Sequence, residues 1–294
     1  MNILLIGHSG YVGSGLFRYL SYKHKVIGWG RKEDIQYIGT PGLKKLGISV
    51  VINCAAIIDR ITSNYIIDSP SDLVNVIGMR KLVSALEDTD IKLIYISTKD
   101  VYGSVYSKKD VNEDDYSYKL KYLVDDNQPF SPESIYGKSK LIGEFLAESY
   151  RLSTVIRLST CYTDYDHYRG HWIPNVIKSL QKKNQVVITN KGKQTRDILH
   201  VDDLGRLIEI VIESSQNGNK INAGGGPDNI ISLLQMIHLV DNNAETINAD
   251  GSDYGFAFNN RLAEELYKWR PNILFSERLE TIKENLFKGI SANI

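Results

Sequence analysis

The chain has 294 residues, of which 42% are hydrophobic and 24% are charged, a composition typical of a folded globular protein. Its 35 basic and 35 acidic residues give a formal net charge of zero, which argues against the basic face of a nucleic-acid-binding protein. No apolar run approaches the roughly 20 residues that cross a membrane, and the first residues do not resemble a signal peptide. Two cysteines are too few for a disulfide framework or a cysteine-rich metal site. We therefore expect a cytoplasmic protein that binds no nucleic acid, inserts into no membrane and holds no metal.

Strands and helices are predicted to alternate from the first residue to about residue 160. Short apolar runs predict strands at residues 2–6, 25–29, 49–54, 92–96 and 154–158. Apolar residues at helical spacing predict helices at residues 12–22, 72–86 and 134–150, and the polar segment 104–132 is predicted to be a long loop. This alternation indicates an α/β protein with a doubly wound parallel sheet.

A glycine-rich turn separates the first strand from the first helix. Gly7, Gly10 and Gly13 have the spacing G-x-x-G-x-x-G, which lets backbone N–H groups approach a pyrophosphate at the helix N-terminus. Tyr11 and Val12 lie within this turn and are expected at the cofactor too. The alternative is that the glycines serve only a tight turn.

The end of the second strand indicates which dinucleotide binds. A carboxylate at this place would bind the ribose 2′-hydroxyl of NAD, whereas this chain has Gly30, Arg31 and Lys32. A small residue followed by two cations suits a 2′-phosphate, so NADP(H) is favoured and NAD(H) is the alternative. Two solvated surface cations would give the same sequence.

Tyr-x-x-x-Lys is a candidate catalytic pattern that this chain contains three times, as Tyr19/Lys23, Tyr95/Lys99 and Tyr136/Lys140. Tyr95 lies in a predicted strand, and Tyr19 lies late in the first helix, away from the sheet edge where ligands bind. Tyr136 opens a predicted helix, which places Lys140 one turn further on the same face. An ammonium group there is expected to lower the pKa of the tyrosine, so that it can exchange a proton near neutral pH. Thr98, at the carboxyl end of the fourth strand, could hydrogen-bond the reacting sugar oxygen beside Tyr136.

Together these segments resemble the extended short-chain dehydrogenase/reductase family, in its branch of NAD(P)-dependent nucleotide-sugar epimerases, dehydratases and reductases. Besides the glycine turn and the Tyr136/Lys140 pair, the resemblance rests on residues 51–56, 75–78, 98–103, 194–204, 221–224 and 262–271. It implies a Rossmann domain, residues 1–160 plus about 196–222, that binds the cofactor. It also implies a smaller C-terminal lobe, about 161–195 and 223–294, that binds a nucleotide-diphosphate sugar, and a homodimer.

The resemblance also assigns roles to single residues. Thr98, Tyr136 and Lys140 would be catalytic. Tyr136 and Lys140 would also bind the cofactor, with Lys140 at its ribose, and Ala55 and Ala56 would line the cofactor. Substrate contacts would come from Arg196 at the diphosphate, from Thr98, and from Thr160, where many relatives have an asparagine. A salt bridge of Arg196 with Asp197 or Asp202 is the alternative.

Two departures from the family pattern bear on the reaction. The family's 4,6-dehydratases carry Asp-Glu after the catalytic threonine, and this chain has Lys99 and Asp100, so a donor of the proton needed for loss of water is missing. Only 18 residues separate Arg31 from Val50, which leaves little room for the usual third strand and helix.

Three functions remain open. The first is an NADP(H)-dependent reductase of a 4-keto nucleotide sugar with Tyr136 as proton donor. The second is a 4-epimerase that uses the same residues, and the third is a non-catalytic protein that senses NADP(H). By resemblance alone, the enzyme would serve surface-polysaccharide or deoxysugar synthesis.

Overall fold

A parallel six-stranded sheet forms the centre of the computed structural model, which describes residues 1–30, 39–61, 66–165, 171–182 and 185–288. The strands are β1 (Asn2–Ile6), β2 (Lys25–Trp29), β3 (Val50–Asn53), β4 (Lys92–Thr98), β7 (Ser153–Leu158) and β11 (Asn219–Ala223). Across the sheet they lie in the order β11-β7-β4-β3-β1-β2. The order reverses at β1, so β1 and β3 flank the crevice where doubly wound sheets bind ligands.

Helices cover both faces of this sheet because side chains alternate along each buried strand. Ile3 and Leu5 of β1 pack with the helices α1 (Tyr11–Leu20) and α6 (Val201–Glu213), in one apolar cluster. Leu4 and Ile6 point the other way, into a second cluster. That cluster is closed by α2 (Thr40–Lys45), α3 (Gly78–Leu86) and α4 (Ile135–Glu148). A π-helical turn, Asp72–Ile77, runs directly into α3.

A second, smaller sheet is built around β10 (Thr195–His200), which pairs with three strands, and the lobe named below is this sheet with the elements that pack on it. These are β8 (Thr160–Tyr162), β12 (Ile230–Ser232) and β14 (Gly255–Phe256). The strands β9 (Val186–Thr189) and β13 (Thr246–Ala249) form a separate parallel pair. The remaining helices are α5 (Trp172–Gln181), α7 (Leu233–Val240), α8 (Arg261–Tyr267) and α9 (Phe275–Lys288). Side chains of α5, α7 and α9 share an apolar cluster, while α8 packs on the central sheet.

The polar segment 104–132 contains a hairpin, so the prediction of a loop throughout is wrong. Strands β5 (Val111–Glu113) and β6 (Tyr118–Leu120) pair antiparallel. The hairpin is held by the lobe, since Tyr118 N donates to Lys193 O at 2.8 Å and Ser232 Oγ donates to Tyr116 O at 2.7 Å. The segment therefore connects the two parts of the molecule.

The short segment before β3 contains one small helix, α2, in its described part. In the described ranges, no helix has the length and apolar character to cross a membrane.

Candidate active site

The glycine turn follows β1 at the carboxyl edge of the sheet. Gly7 has a φ of +82°, and a Cβ atom there would lie 2.7 Å from the backbone nitrogen of Ala55. A Cβ atom at Gly13 would lie 2.1 Å from the carbonyl oxygen of Gly7. Helix α1 begins at Tyr11, directly after the turn, and has no side-chain cap. This tight cradle at a helix N-terminus fits a dinucleotide pyrophosphate.

Ala55, one of the two alanines predicted to line the cofactor, lies beside this turn. The side chain of Asn53 accepts a hydrogen bond from Ala55 N at 3.1 Å. The side chain of Asn75 accepts one from Ile57 N at 2.9 Å. These contacts fix the backbone that follows β3 next to Gly7.

Thr98 and Tyr136 meet at the same edge of the sheet. Thr98 ends β4, and Tyr136 lies in the first turn of α4, whose N-cap Ser134 accepts a hydrogen bond from Gly137 N at 3.0 Å. Tyr136 N also donates to Asp59 O at 2.8 Å, which ties the helix start to the chain after β3. The Thr98 side chain lies close enough to Tyr136 to act on the pKa of its phenol. The structure thus brings together two of the three predicted catalytic residues.

Lys140 lies one turn further along α4 and is only 1% exposed. Its Nζ lies 3.9 Å from the centroid of the Tyr95 ring, over the face of that ring. Burial lowers the pKa of Lys140 to about 7, although the nearby charges of Cys54 and Glu144 act in the other direction. An amine that titrates near neutral pH can exchange protons in this site.

The expected lowering of the Tyr136 pKa is not found. Burial raises the pKa of Tyr136, and the charge of Asp100 adds to this, while the Thr98 side chain and the charge of Arg60 act against it. Desolvation outweighs those two contributions because the phenolate would lie in a buried environment. In the structure Tyr136 is therefore a neutral phenol at physiological pH.

Charged side chains border this site on the side of the C-terminal lobe. Lys99 Nζ lies 3.0 Å from Asp100 Oδ1, and both side chains are half-buried. Arg196 forms an ion pair with Asp253 rather than with the predicted alternatives, Asp197 and Asp202. Asp197 instead accepts hydrogen bonds from Gly225 N and Phe258 N, and Asp202 pairs with Arg18 at 2.6 Å.

Three further predicted contacts concern Arg196, Thr160 and the pair Arg31 and Lys32. Arg196 is near enough for its charge to help lower the pKa of Asp100, against the raising effect of burial. Thr160 begins β8, opposite Ile198 of β10. Arg31 and Lys32 lie outside the described residues, so the structure says nothing of their predicted cofactor role.

Comparison with known proteins now identifies the family. The sequence model of a family described as "NAD dependent epimerase/dehydratase family" matches residues 3–224. The chain belongs to this family. The expected family and the expected Rossmann-type α/β fold are thereby confirmed.

Curated relatives and solved structures agree with this assignment. The dTDP-D-glucose 4,6-dehydratase of Dictyostelium discoideum is 25% identical over 76% of this chain and 58% of its own length. A dTDP-glucose 4,6-dehydratase of Mycobacterium tuberculosis is 25% identical over 73% of this chain and 66% of its own length. The matches thus span less than two thirds of these relatives.

Among solved structures, a UDP-glucuronic acid 4-epimerase from Bacillus cereus, in complex with UDP-glucuronic acid and NAD, has a TM-score of 0.82. It is 24% identical and matches over 99% of this chain and 100% of its own. A dTDP-glucose 4,6-dehydratase from Bacillus anthracis, in complex with NAD, has a TM-score of 0.81 at 22% identity, over 98% and 97% of the two chains. These likenesses show the fold.

A buried polar network under the family's Tyr-Lys helix was not predicted. Glu144 and Arg157 are each 1% exposed and form an ion pair, with Arg157 Nη2 at 2.9 Å from Glu144 Oε2. Ser97 donates to Glu144, and Arg157 Nη1 donates to Tyr102 Oη at 2.6 Å. Glu144 could have been found, because it lies one helical turn beyond Lys140. Nothing in the sequence pointed to Arg157 as a partner of Glu144, because it is a single charged residue within a run predicted as an apolar strand.

Proposed function

We propose that this family member is an NADPH-dependent oxidoreductase that reduces a 4-keto nucleotide-activated sugar. One observation carries the proposal: a neutral Tyr136 phenol lies beside Thr98, at the sheet edge that also holds the glycine turn. A neutral phenol is a proton donor, and reduction of a ketone needs one.

Each residue has a role in this reaction. When bound, the cofactor would supply hydride to the C4 carbonyl carbon. Thr98 Oγ1 would hydrogen-bond the C4 oxygen and hold it against Tyr136. The Tyr136 Oη would donate its proton to that oxygen as the negative charge develops. Lys140, with a pKa of about 7, would return a proton to the buried phenolate.

The NADPH preference is supported by the end of β2. That strand ends at Trp29 and is followed by Gly30, so no carboxylate stands at these two positions to bind a ribose 2′-hydroxyl. Arg31 and Lys32 follow in the sequence and suit a 2′-phosphate. NAD(H) is the alternative, in line with the family's description.

The substrate would be a nucleotide-diphosphate sugar held between the two predicted domains. Residues 1–160 and about 196–222 would bind the cofactor, and about 161–195 and 223–294 would bind the nucleotide sugar. Arg196 would contact the diphosphate by releasing Asp253, and Thr160 would contact the sugar or its phosphates. A planar guanidinium suits this role because it can donate two parallel hydrogen bonds.

A 4-epimerase is the second candidate, and one contact favours it. Tyr11, in the glycine turn, stacks on His171 at a centroid distance of 4.1 Å, and its Oη accepts a hydrogen bond from Thr163 N at 3.2 Å. These contacts join the cofactor turn to the chain that leaves β8, which suits a cofactor retained through turnover. An epimerase needs such retention, whereas a reductase must exchange its cofactor each time.

Loss of water is not the reaction that we propose, although the curated relatives named above are 4,6-dehydratases. Elimination of a hydroxyl group needs an acid to protonate it. Burial raises the pKa of Asp100, but its ion pair with Lys99 and the charges of Arg60 and Arg196 outweigh burial and lower it. Asp100 is therefore an ionised carboxylate and a poor proton donor.

We also propose a homodimer formed by the helices on one face of the sheet. Leu73, in the turn before α3, is 46% exposed, and Phe145 of α4 is 54% exposed. Ile77 and Ile142 lie half-buried on the same two elements. An exposed apolar stripe on neighbouring helices is typical of a subunit interface.

Titration of cofactor-stripped protein with NADPH and NADH, followed by fluorescence, tests the proposed cofactor chemistry. Reversible, preferential binding of NADPH in the micromolar range supports the reductase. Protein that keeps NAD⁺ through purification, or that prefers NADH, contradicts it and moves the epimerase to first place.

A further inference from the structure

The side chain of His8, in the glycine turn, lies against the carboxyl end of β2. A Cβ atom added at Gly28 would lie 2.5 Å from His8 Cγ, 2.6 Å from Cδ2 and 2.8 Å from Nδ1. A Cβ atom added at Gly30 would lie 2.9 Å from His8 Cε1. The imidazole ring therefore covers the backbone of both residues, and any larger residue at Gly28 would displace it.

This position matters because the last residues of β2 are where a dinucleotide-binding sheet meets the adenine ribose. In this chain, the imidazole of His8 occupies the space that a side chain from residue 28 or 30 would fill. Ser9 Oγ lies at the same edge, 3.3 Å from a Cβ atom added at Gly30. The side chains of His8 and Ser9 thus lie beside Gly28 and Gly30, two positions that have no side chain of their own.

The ring packs within the protein, but one of its nitrogens has no hydrogen-bond partner there. Its packing partner is the ring of Phe17, at a centroid distance of 5.7 Å. Among the described residues, His8 Nδ1 is buried and has no hydrogen-bond partner. A buried polar atom without a partner is destabilising, so a phenyl ring would serve better if packing alone were needed.

We propose that His8 determines dinucleotide specificity by donating a hydrogen bond to the 2′-phosphate of NADPH. The proposal rests on the proposed NADPH-dependent function and adds a residue of the glycine turn to its cofactor site. A charge-assisted hydrogen bond of this kind contributes about tenfold or more in affinity. NADH has no 2′-phosphate and would not gain from it.

The test measures the dissociation constants of NADPH and NADH for the full-length protein and three variants, without turnover. His8→Ala removes the ring. His8→Phe keeps a ring against Gly28 and Gly30 but removes both nitrogens. His24→Ala is the matched control, because His24 also has a buried Nδ1 without a partner in the described structure, but it lies just before the amino end of β2. Thermal unfolding shows which variants fold.

We expect the ratio of the NADH to the NADPH dissociation constant to fall by about tenfold or more in His8→Ala and His8→Phe. In His24→Ala the ratio should stay at the wild-type value. If folded His8→Phe keeps the wild-type ratio within about threefold, the ring acts by packing and the proposal is wrong.

The same titration separates this inference from the proposed function. The wild-type ratio alone tests whether the protein prefers NADPH. The change of the ratio on substitution tests His8, whichever cofactor the wild type prefers.

Discussion

Burial shifts the pKa values of Tyr136 and Lys140 in opposite directions because it disfavours the charged form of each side chain. It disfavours the phenolate of Tyr136, whose pKa rises, and it disfavours the ammonium of Lys140, whose pKa falls to about 7. The sequence identified both residues by their spacing, but it could not show that desolvation would dominate the pKa of each. The result is a site with a protonated phenol and an amine that titrates at neutral pH.

Tyr136→Phe removes the proposed proton donor and leaves the ring in place. We expect turnover to fall by about 100-fold or more, because positioned proton donors contribute on that order. Cofactor affinity should change little, since the glycine turn is untouched. Steady-state kinetics and fluorescence titration measure the two effects.

Tyr150→Phe is the control for this change. The Tyr150 hydroxyl donates to Ile91 O at 2.6 Å, away from Thr98 and Lys140. Its loss should lower the free energy of unfolding by about 1 kcal/mol and leave turnover unchanged. Equal turnover of the Tyr136→Phe variant and the wild type would contradict the proton-donor role of Tyr136. Unchanged biological activity of this variant would support the non-catalytic sensing protein.

Lys140→Met tests the pKa of Lys140 through the pH dependence of stability. The pKa of Lys140 in the folded protein is about 7, below the ordinary lysine value of 10.5, so below pH 10.5 folding must either neutralise this amine or bury it as a cation. The resulting loss in the free energy of unfolding has its full size below pH 7 and becomes smaller as the pH rises from 7 towards 10.5. We expect the variant to gain roughly 1–3 kcal/mol over the wild type at pH 6, and less at pH 9.

Urea unfolding at several pH values measures this difference. Lys138→Met, two residues earlier on the same helix and less buried, is the control for removing an amine from this helix. A constant difference for Lys140→Met across this range would contradict the lowered pKa.

At the scale of elements, α4 is held by polar contacts as much as by apolar ones. Glu144 reaches Ser97 of β4 and Arg157 of β7, while Ser139 accepts a hydrogen bond from Asn75 Nδ2 at 2.8 Å. These bonds fix the rotation of the helix that carries Tyr136 and Lys140. A buried ion pair adds little net stability, so its value here lies in orientation.

Glu144→Gln leaves the buried Arg157 without its counter-charge. We expect a loss of about 3 kcal/mol in the free energy of unfolding, since breaking a buried pair leaves an uncompensated charge. Glu148→Gln, at the end of the same helix, breaks the partly exposed pair with Lys220 and should lose less than about 1 kcal/mol. Similar losses in the two variants, measured by urea unfolding, would show that the buried pair has no special role.

The sequence predicted the central elements well and the connecting ones poorly. Strands β1 and β2 have the predicted bounds because buried parallel strands are short apolar runs with clear ends. The hairpin of β5 and β6 was missed because each strand has three residues and is held by the lobe. The partner of Arg196 was missed for a similar reason, since Asp253 lies 57 residues away.

At the scale of the whole molecule, the two parts are joined by several buried contacts. Trp269 Nε1 donates to Asp203 O at 3.1 Å, and Asp203 Oδ2 accepts from Asn272 N and Ile273 N. Arg278 of α9 pairs with the buried Asp164, which also lies 3.2 Å from His200. The sheet edge with Tyr136 and the lobe with Arg196 are therefore held in a defined relation.

The proposed dimer predicts a mass twice that of the 33.2 kDa chain in light scattering after gel filtration. Phe145→Glu places a charge in the proposed apolar interface and should shift the protein to the monomer mass. Phe287→Glu is the control, because Phe287 of α9 is 85% exposed and lies away from that helix pair. A monomeric wild type, or a dimer unaffected by Phe145→Glu, would contradict the proposal.

In the proposed reaction, Tyr136 donates a proton to the sugar while NADPH is oxidised. The most direct measurement mixes the protein with NADPH and each member of a panel of 4-keto nucleotide sugars, and follows cofactor absorbance and sugar product together. We expect one NADPH oxidised for each sugar reduced by the wild type, and almost none by Tyr136→Phe. Conversion of a nucleotide sugar with no net change in cofactor would contradict the reductase and identify an epimerase.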